Sequence, residues 1–389
     1  MVRLWREYIL KMVRTKEAPM YLHERPGWTQ FTWDAKSIAG VLSNVRLRQG
    51  TLLGKMQGYR FSSRWEATLR VLTAETIKSS AIEGVVLDPE SVRSSMARQL
   101  HLEAGGLQKK QDRNIEGVVE MMVNATQSYK EPLTPERLWG WHNDLFPTGF
   151  SGMRKIRVAT WRDDQLGPMQ VGSTKGKKET VHFVAPPATH IEREMAMFFD
   201  WFNGDTQGDP LLKAAIAHLW FVTIHPFEDG NGRITRAISE LSLARSDNGE
   251  QRFYSMSSQI SEEKPAYYRE LENAQKGSTD ITAWLLWFLR CLDRAIEKSN
   301  ALTDSALEKD SFWGRLKSRS IALNDRQQKV VNKCLHGLPG KLTAEKWGKL
   351  TKCSRNTALR DIADLEEKGI LVRNPEGGRS TSYRLVSGT

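Results

Sequence analysis

Between His225 and Arg236 the chain reads HPFEDGNGRITR, which places a histidine, two acids, a Gly-Asn-Gly turn and two arginines in one short arc. Each residue type has a distinct chemical use. Histidine has a near-neutral intrinsic pKa, so His225 suits taking a proton from a nucleophile. Arg233 and Arg236 are three apart and share a helix face in the first turns after the turn. Cations at that end of a helix oppose its dipole, at a cost of about 0.3–1 kcal/mol each. A polyphosphate would account for their placement. Asp229 beside such an anion calls for a bridging divalent cation, and Mg²⁺ (or Mn²⁺) suits a lone carboxylate plus phosphate oxygens. Gly230 and Gly232 permit backbone geometries that other residues resist, and amides at the start of the following helix make an anion site. Singly, each residue has an ordinary structural explanation. The constellation does not.

The flanking sequence supplies the elements that must position this arc. LLKAAIAHLWFVTI, 211–224, predicts a strongly apolar helix ending near His225-Pro226. NGRITRAISELSL, 231–243, predicts a second buried helix, with Ile234, Ala237, Ile238 and Leu241 at helical spacing. EDGNG is then a tight loop between two buried helices, with Phe227 as its expected anchor in the core. Helical patterns dominate from Asn114 to Lys298 with one interruption. GPMQVGSTKGKKETVHFVAPP, 167–187, predicts a β-hairpin with an exposed basic tip and a Pro-Pro stop. The stretch from Lys36 to Ile82 also has long helical periodicity, after an aromatic cluster of Trp28, Phe31 and Trp33 expected to form local core.

HPFEDGNGRITR resembles the signature of the Fic family, HPFx(D/E)GNGRxxR, at every defined position. The resemblance implies a mainly α, Fic-type helical core with a β-hairpin flap. It also implies an enzyme that moves AMP from ATP to a protein hydroxyl of Ser, Thr or Tyr. His225 would be the base, Asp229 would hold the metal, and Gly230, Asn231 and Gly232 would cradle phosphate. Arg233 and Arg236 would bind the β- and γ-phosphates. The hairpin resembles the family's flap, which docks a target segment by strand addition. AYYRELENAQKG resembles the adenine-pocket region, with Tyr267, Tyr268 and Gln275 as candidates. Gly232 favours nucleotidyl transfer over the phosphotransfer of Doc-type relatives, which carry Lys there; transfer of another nucleotide stays open.

Upstream, TIKSSAIEGV (Thr76–Val85) puts Ser79 and Glu83 on one helix face before Gly84, a helix terminator. It resembles the Fic inhibitory motif, (S/T)xxxE(G/N), whose glutamate pairs with the second motif arginine, here Arg236. The implied consequence is self-inhibition, with removal of AMP as a further role for Glu83.

The chain has 389 residues, with 39% hydrophobic and 26% charged side chains, which excludes wholesale disorder and favours two or three domains. Expected boundaries are 1–98 for a helical segment carrying the inhibitory helix, 99–298 for the Fic core and 299–389 for a third module. The longest apolar-rich run, ITAWLLWFL, is too short to cross a bilayer. No membrane partner is expected. Three separated cysteines and the absence of an apolar leader at the start favour a reducing cytoplasm. Residues 309–389 hold 17 lysines and arginines against 8 acids. After a polar connector at Lys298–Leu307, helical patterns at 325–335, 343–352 and 354–368 precede two short strands. They predict a C-terminal winged helix-turn-helix. Arg355, Asn356, Thr357 and Arg360 would face a DNA major groove, and Arg373, Arg379 and Arg384 would serve the wing and the phosphates. Protein contact, including a homodimer, is the alternative use of that fold. Expected partners are therefore a protein target, which could be the chain itself, and DNA. A regulator that binds DNA and uses the core as a nucleotide sensor is the competing function.

Overall fold

The computed structural model describes residues 20–59, 61–102, 112–165, 167–175, 178–204, 208–335, 338–375 and 381–386. The chain divides into two compact units between Lys298 and Ser299.

The first unit is almost wholly helical: α1 (Ala35–Gln57), α2 (Phe61–Ile82), α3 (Pro89–Gln99), α4 (Arg113–Gln127) and α5 (Pro135–Leu145) come first. Two short ribbons follow: β1 (Phe150–Ser151) with β2 (Arg154–Lys155), then β3 (Gln170–Lys175) with β4 (Lys178–Val184), each pair antiparallel. Then come α6 (Ile191–Asn203), α7 (Pro210–Ile224), α8 (Asn231–Asp247), α9 (Met256–Glu262) and α10 (Lys264–Lys276). The last helix, α11 (Thr282–Ser318), contributes its first part to this unit and its final turns to the second. It also makes helical the Lys298–Leu307 stretch read above as a connector. A polar composition without Gly or Pro is compatible with a continuing helix, and the absence of breakers was the better guide.

α7 is the central helix. Asp209 caps it, accepting the Leu211 N–H at 2.8 Å, and Pro210 fixes its first turn. Every residue from Leu211 to Ile224 except Lys213 is buried, so its apolar character all round matches a helix surrounded by protein. α8 packs along it and is nearly as buried. α4 crosses α5 at Gly117, where a Cβ would lie 1.9 Å from the Asp144 carbonyl oxygen, so only glycine fits there.

Among the described residues, those from Leu22 to Ala97 share their core with the rest of the first unit. One hydrophobic cluster runs from Leu22 to Ile296. Trp28 and Phe31 pack edge-on against Trp220 of α7, whereas Trp33 stands 37% exposed and lies outside the expected aromatic core. Arg46 on α1 pairs with Asp209 at 2.7 Å, and Glu75 on α2 accepts the Ser257 N–H at 2.9 Å. α2 is therefore built into the same body as α8.

The second unit contains α12 (Asp325–Leu335), β5 (Leu342–Thr343), α13 (Ala344–Thr351), α14 (Arg355–Glu367), β6 (Leu371–Arg373) and β7 (Ser382–Leu385). Its strands form an antiparallel sheet in the order β5-β7-β6. Trp347, Val330, Ile362, Leu365 and Ile370 make its core. The two-residue β5 was absent from the expected pattern; so short a strand has no periodicity to read.

Arg252 locks the far end of α8. It is fully buried and donates to Glu240 at 3.0 and 3.1 Å and to Asp247, both also buried. Removing one partner of such a cluster strands charge in the core. Arg252→Met should lower the unfolding free energy of the first unit by about 3–5 kcal/mol, measured by urea denaturation.

Candidate active site

His225 closes α7 in the left-handed region, at φ 52° and ψ 58°. For a non-glycine residue this costs about 1–2 kcal/mol and persists only where the surroundings fix it. Here they do. The His225 N–H donates to Phe221 O at 3.0 Å, and Arg162 Nε donates to His225 O at 2.8 Å. Asn231 then folds the loop back on itself: its Nδ2 donates to Phe227 O at 2.8 Å and its Oδ1 accepts the Phe227 N–H at 3.0 Å. That bonding fixes the orientation of the Asn231 side chain within the loop. One N–H and one carbonyl lone pair of the side chain serve the loop, and its second Nδ2 N–H is not used by those bonds.

Phe227 is fully buried and stacks on His142 with centroids 4.2 Å apart. His142 Nδ1 accepts the Ala159 N–H at 3.3 Å, so its proton lies on Nε2, which donates to Asp229 O at 3.2 Å. Asp229 Oδ1 accepts the Gly230 N–H at 2.6 Å, and Oδ2 accepts the Ser151 hydroxyl. The carboxylate keeps lone pairs for a further ligand. Among the described residues no group of three or more His, Cys, Asp or Glu could hold a metal ion. A cation at Asp229 therefore fits only as one carboxylate plus oxygens from a bound ligand or water, which is the usual manner of Mg²⁺.

The His225 imidazole is half-buried. Its Nδ1 sits 3.2 Å from Val222 O, so Nδ1 carries the proton and Nε2 is the acceptor. Burial pushes its pKa down to about 4; Arg162 acts in the same direction, while the Val222 bond, Glu83 and Asp229 oppose it. The group is a neutral base at neutral pH.

Arg233 and Arg236 leave the same face of α8, and both are buried. Arg233 lies 4.9 Å from the Phe146 ring centroid, and its buried Nε has no hydrogen-bond partner. Arg236 Nε donates to Ser79 Oγ at 2.8 Å, and its Nη2 donates to Ser79 O at 2.9 Å and Glu83 Oε1 at 2.8 Å. Burial opposes the charge of Arg236, but Glu83 together with Tyr267 and Tyr268 more than offsets it and the pKa stays raised. Its Nη1 is buried without a partner. Gly230 (φ 81°) starts α8, and no side chain caps that helix. The Glu83 carboxylate lies against Gly232, where a Cβ would be 2.1 Å from Glu83 Oε1.

Glu83 follows the last residue of α2. Gly84, at φ 80°, turns the chain so that the Val85 N–H bonds Ser80 O at 3.0 Å and the Gly84 N–H bonds Ala81 O at 3.0 Å, a Schellman cap. Lys264 Nζ donates to Ile82 O at 2.5 Å, and the Tyr268 hydroxyl donates to it at 3.4 Å. Glu83, His225, Gly232, Lys264, Tyr267, Tyr268 and Gln275 line one cavity of about 460 Å³, closed by Val171, Gly172, Ser173, His182 and Phe183 of the β3–β4 hairpin. That volume lies within the range of small-ligand sites. Tyr267 is buried and its hydroxyl bonds His218 Nε2 at 3.0 Å, so it belongs as much to the core as to the cavity wall. Gln275 is also buried, with Nε2 3.5 Å from Thr223 Oγ1, whereas Tyr268 is 40% exposed.

Residues 132–243 match the family model described as Fic/DOC family. This region of the chain is a Fic/DOC domain. Residues 21–102, which include Ser79 and Glu83, match a second model, described as a domain of unknown function (DUF4172). Protein adenylyltransferase Fic of Nematostella vectensis is 29% identical over 160 residues, 37% of this chain and 36% of that protein. Protein adenylyltransferase fic-1 of Caenorhabditis briggsae is 35% identical over 82 residues, 20% of this chain and 16% of that protein. The chain thus spans about a third of the length of the first relative and less of the second. A Fic family protein from Desulfovibrio desulfuricans G20 shares the fold, with TM-score 0.52 and 21% identity, over 92% of this chain and 98% of that one.

Outside the Fic domain, Arg355, Asn356 and Arg360 are exposed on α14 of the second unit, and Thr357 is half-buried with its Oγ1 2.9 Å from Ser354 Oγ. Arg373 is tied to Glu366 at 3.2 Å, Arg384 is exposed, and Arg379 lies outside the described residues.

Three histidines of the Fic domain are held neutral by burial, His142 and His225 at about 4 and His218 at about 3. The unfolded chain titrates near 6.5, so it binds more protons than the folded chain between that value and 4. Stability should be level above about pH 6.5 and fall as pH drops through that window. NMR titration should find the His225 midpoint near 4, whereas a midpoint near 6.5 would place the imidazole in water.

Proposed function

We propose that this chain is a self-inhibited protein adenylyltransferase that moves AMP from ATP to a Ser, Thr or Tyr hydroxyl. One observation carries the reading: a neutral imidazole with Nε2 open shares a cavity with Gly232, at the start of a helix bearing two buried arginines that have unpartnered donors.

His225 Nε2 takes the proton of the target hydroxyl as its oxygen attacks the α-phosphorus. A new O–P bond forms, the bond to the bridging oxygen breaks, and pyrophosphate leaves with the electron pair. Arg233 and Arg236 face the β- and γ-phosphates, and the uncapped start of α8 adds backbone N–H groups. Asp229 would hold Mg²⁺ (or Mn²⁺), which neutralises charge developing on the leaving group. The base enters the cavity beside Tyr268, Leu271 and Gln275. A target segment adds to the edge of the hairpin, which presents its hydroxyl to His225.

Glu83 holds the enzyme off. It takes a donor of Arg236 that a γ-phosphate would need, and its carboxylate lies where any ligand near Gly232 would sit. The pair combines a buried guanidinium with a carboxylate that is 32% exposed, so its strength is discounted by solvent and a polyphosphate can displace it. With full-length protein and labelled ATP, Glu83→Gly should raise covalent labelling by at least about tenfold, in line with 1.4 kcal/mol or more of relieved competition. His225→Ala in that background should abolish it. Unchanged labelling in Glu83→Gly would overturn the inhibitory role.

For the second unit we propose a winged helix that binds DNA, supported by the exposed Arg355, Asn356 and Arg360 on α14 and by the excess of basic residues in 309–389. Fluorescence polarisation with duplex DNA should show affinity falling steeply with salt. Arg355→Ala with Arg360→Ala should reduce the log–log slope by about 0.9 for each phosphate no longer neutralised. Affinity indifferent to salt and to both substitutions would favour protein contact instead.

A further inference from the structure

Arg162 lies between β2 and β3, outside the His225–Arg236 signature, and is 3% exposed. Its guanidinium reaches three separate acceptors. Nε donates to His225 O at 2.8 Å, Nη2 to Pro186 O at 2.5 Å and Nη1 to Asp164 Oδ1 at 2.8 Å. Its own N–H donates to Pro226 O at 2.9 Å. The second Asp164 oxygen accepts the Ala188 N–H at 2.6 Å. Pro186 to Ala188 is the segment by which the chain leaves β4. One side chain therefore bonds both the backbone of the base and the root of the hairpin. Its neighbour Trp161 packs on Phe227, 5.2 Å between centroids, which anchors the bridge in the core.

Two of its three side-chain acceptors are main-chain carbonyls, one at His225 and one at the root of the hairpin. A general base works only within about 2.6–3.2 Å of the proton it takes. A strand docked on a hairpin advances about 3.3 Å per residue, so a small slip of the hairpin relative to His225 removes the hydroxyl from reach. We infer that Arg162 is a positioning residue that holds the hairpin and His225 in one register, so that a target strand docked on the first meets the second. The inference rests on the adenylyltransferase reading given above.

The test uses the full chain carrying Glu83→Gly, with self-labelling from labelled ATP as the readout. Adding Arg162→Met should lower the rate at saturating ATP roughly 100-fold, the scale of an ångström-sized misplacement. The ATP concentration for half the maximal rate should stay within about twofold, because the phosphate-facing residues are untouched. Arg162→Lys should not restore the rate, since one ammonium cannot span three acceptors in a fixed fork. Asp164→Asn should fall between the Glu83→Gly parent and Arg162→Met, as it loosens only the hairpin root. Full turnover in Arg162→Met, or a loss of rate matched by a loss of ATP affinity, would overturn the inference. Should Arg162→Met not fold, Arg162→Lys carries the same comparison.

A second measurement separates failure of the register from failure of the enzymatic reading. In nucleotide-free protein, Arg162→Lys should speed hydrogen exchange of the hairpin amides and shift the His225 imidazole resonance together, whereas Asp164→Asn should affect the hairpin alone. If either signal stays at its parent value in Arg162→Lys, the coupling is absent, whether or not the parent labels. If both move while the parent never labels, the register stands and the adenylyltransferase reading fails.

Discussion

Arg236 is a cation in a place that solvent does not reach, and its hydrogen-bonded acceptors come from a helix far away in the chain. Ser79 supplies a hydroxyl and a carbonyl, and Glu83 supplies a carboxylate. An ionised guanidinium cannot shed its proton at any ordinary pH, so the protein must provide negative charge from within or accept it from a ligand. That requirement organises the site. It explains why α2 is packed into the same body as α8, through Glu75 on one side and the Ser79–Glu83 face on the other. Behind Arg236 a buried line runs from Tyr267 to His218 and on to Ser239, at 3.0 and 2.9 Å. The arginine is presented on a rigid wall, so an incoming anion meets donors already in place.

The other half of the site depends on a strained residue. His225 is left-handed, and its loop is stitched by Asn231, stacked by Phe227 on His142, and bonded at the carbonyl by Arg162. Each of these bonds ends on backbone. The result is an imidazole whose tautomer is set by Val222 and whose proton affinity is set by burial. Strain at His225 is held by Phe221, Arg162 and the Asn231 loop, and charge at Arg236 by Ser79 and Glu83.

The reach of sequence reasoning follows from what kinds of contact it can see. The apolar helix before His225, the buried helix after Asn231 and the hairpin were legible because periodicity and turn residues report local structure directly. The pairing of Glu83 with Arg236 was legible only through a resemblance, since 153 residues separate them. Arg162 and His142 gave no signal. WRDD reads as a polar loop, and nothing local distinguishes an arginine that will be buried among carbonyls from one in water. The loop bonds of Asn231 were hidden for a related reason: an asparagine in a Gly-Asn-Gly turn can bond a ligand, its own backbone or both, and only the folded loop shows the backbone bonds. The connector that proved to be helix shows the same limit from the other side, since polarity marks exposure and not the absence of secondary structure.

Glu83 occupies the capping position of α2, after the last helical residue and before the glycine that turns the chain away. Helix ends open far more readily than helix bodies, and such local openings need no global unfolding. The ion pair with Arg236 is therefore hung on the end of α2, where fraying begins. Loss of one turn would withdraw the carboxylate while Glu75 and the body of the helix stayed docked. The lifetime of the Glu83–Arg236 pair is then tied to the opening of a single capped turn, stabilised by Lys264 and Tyr268 at the Ile82 carbonyl.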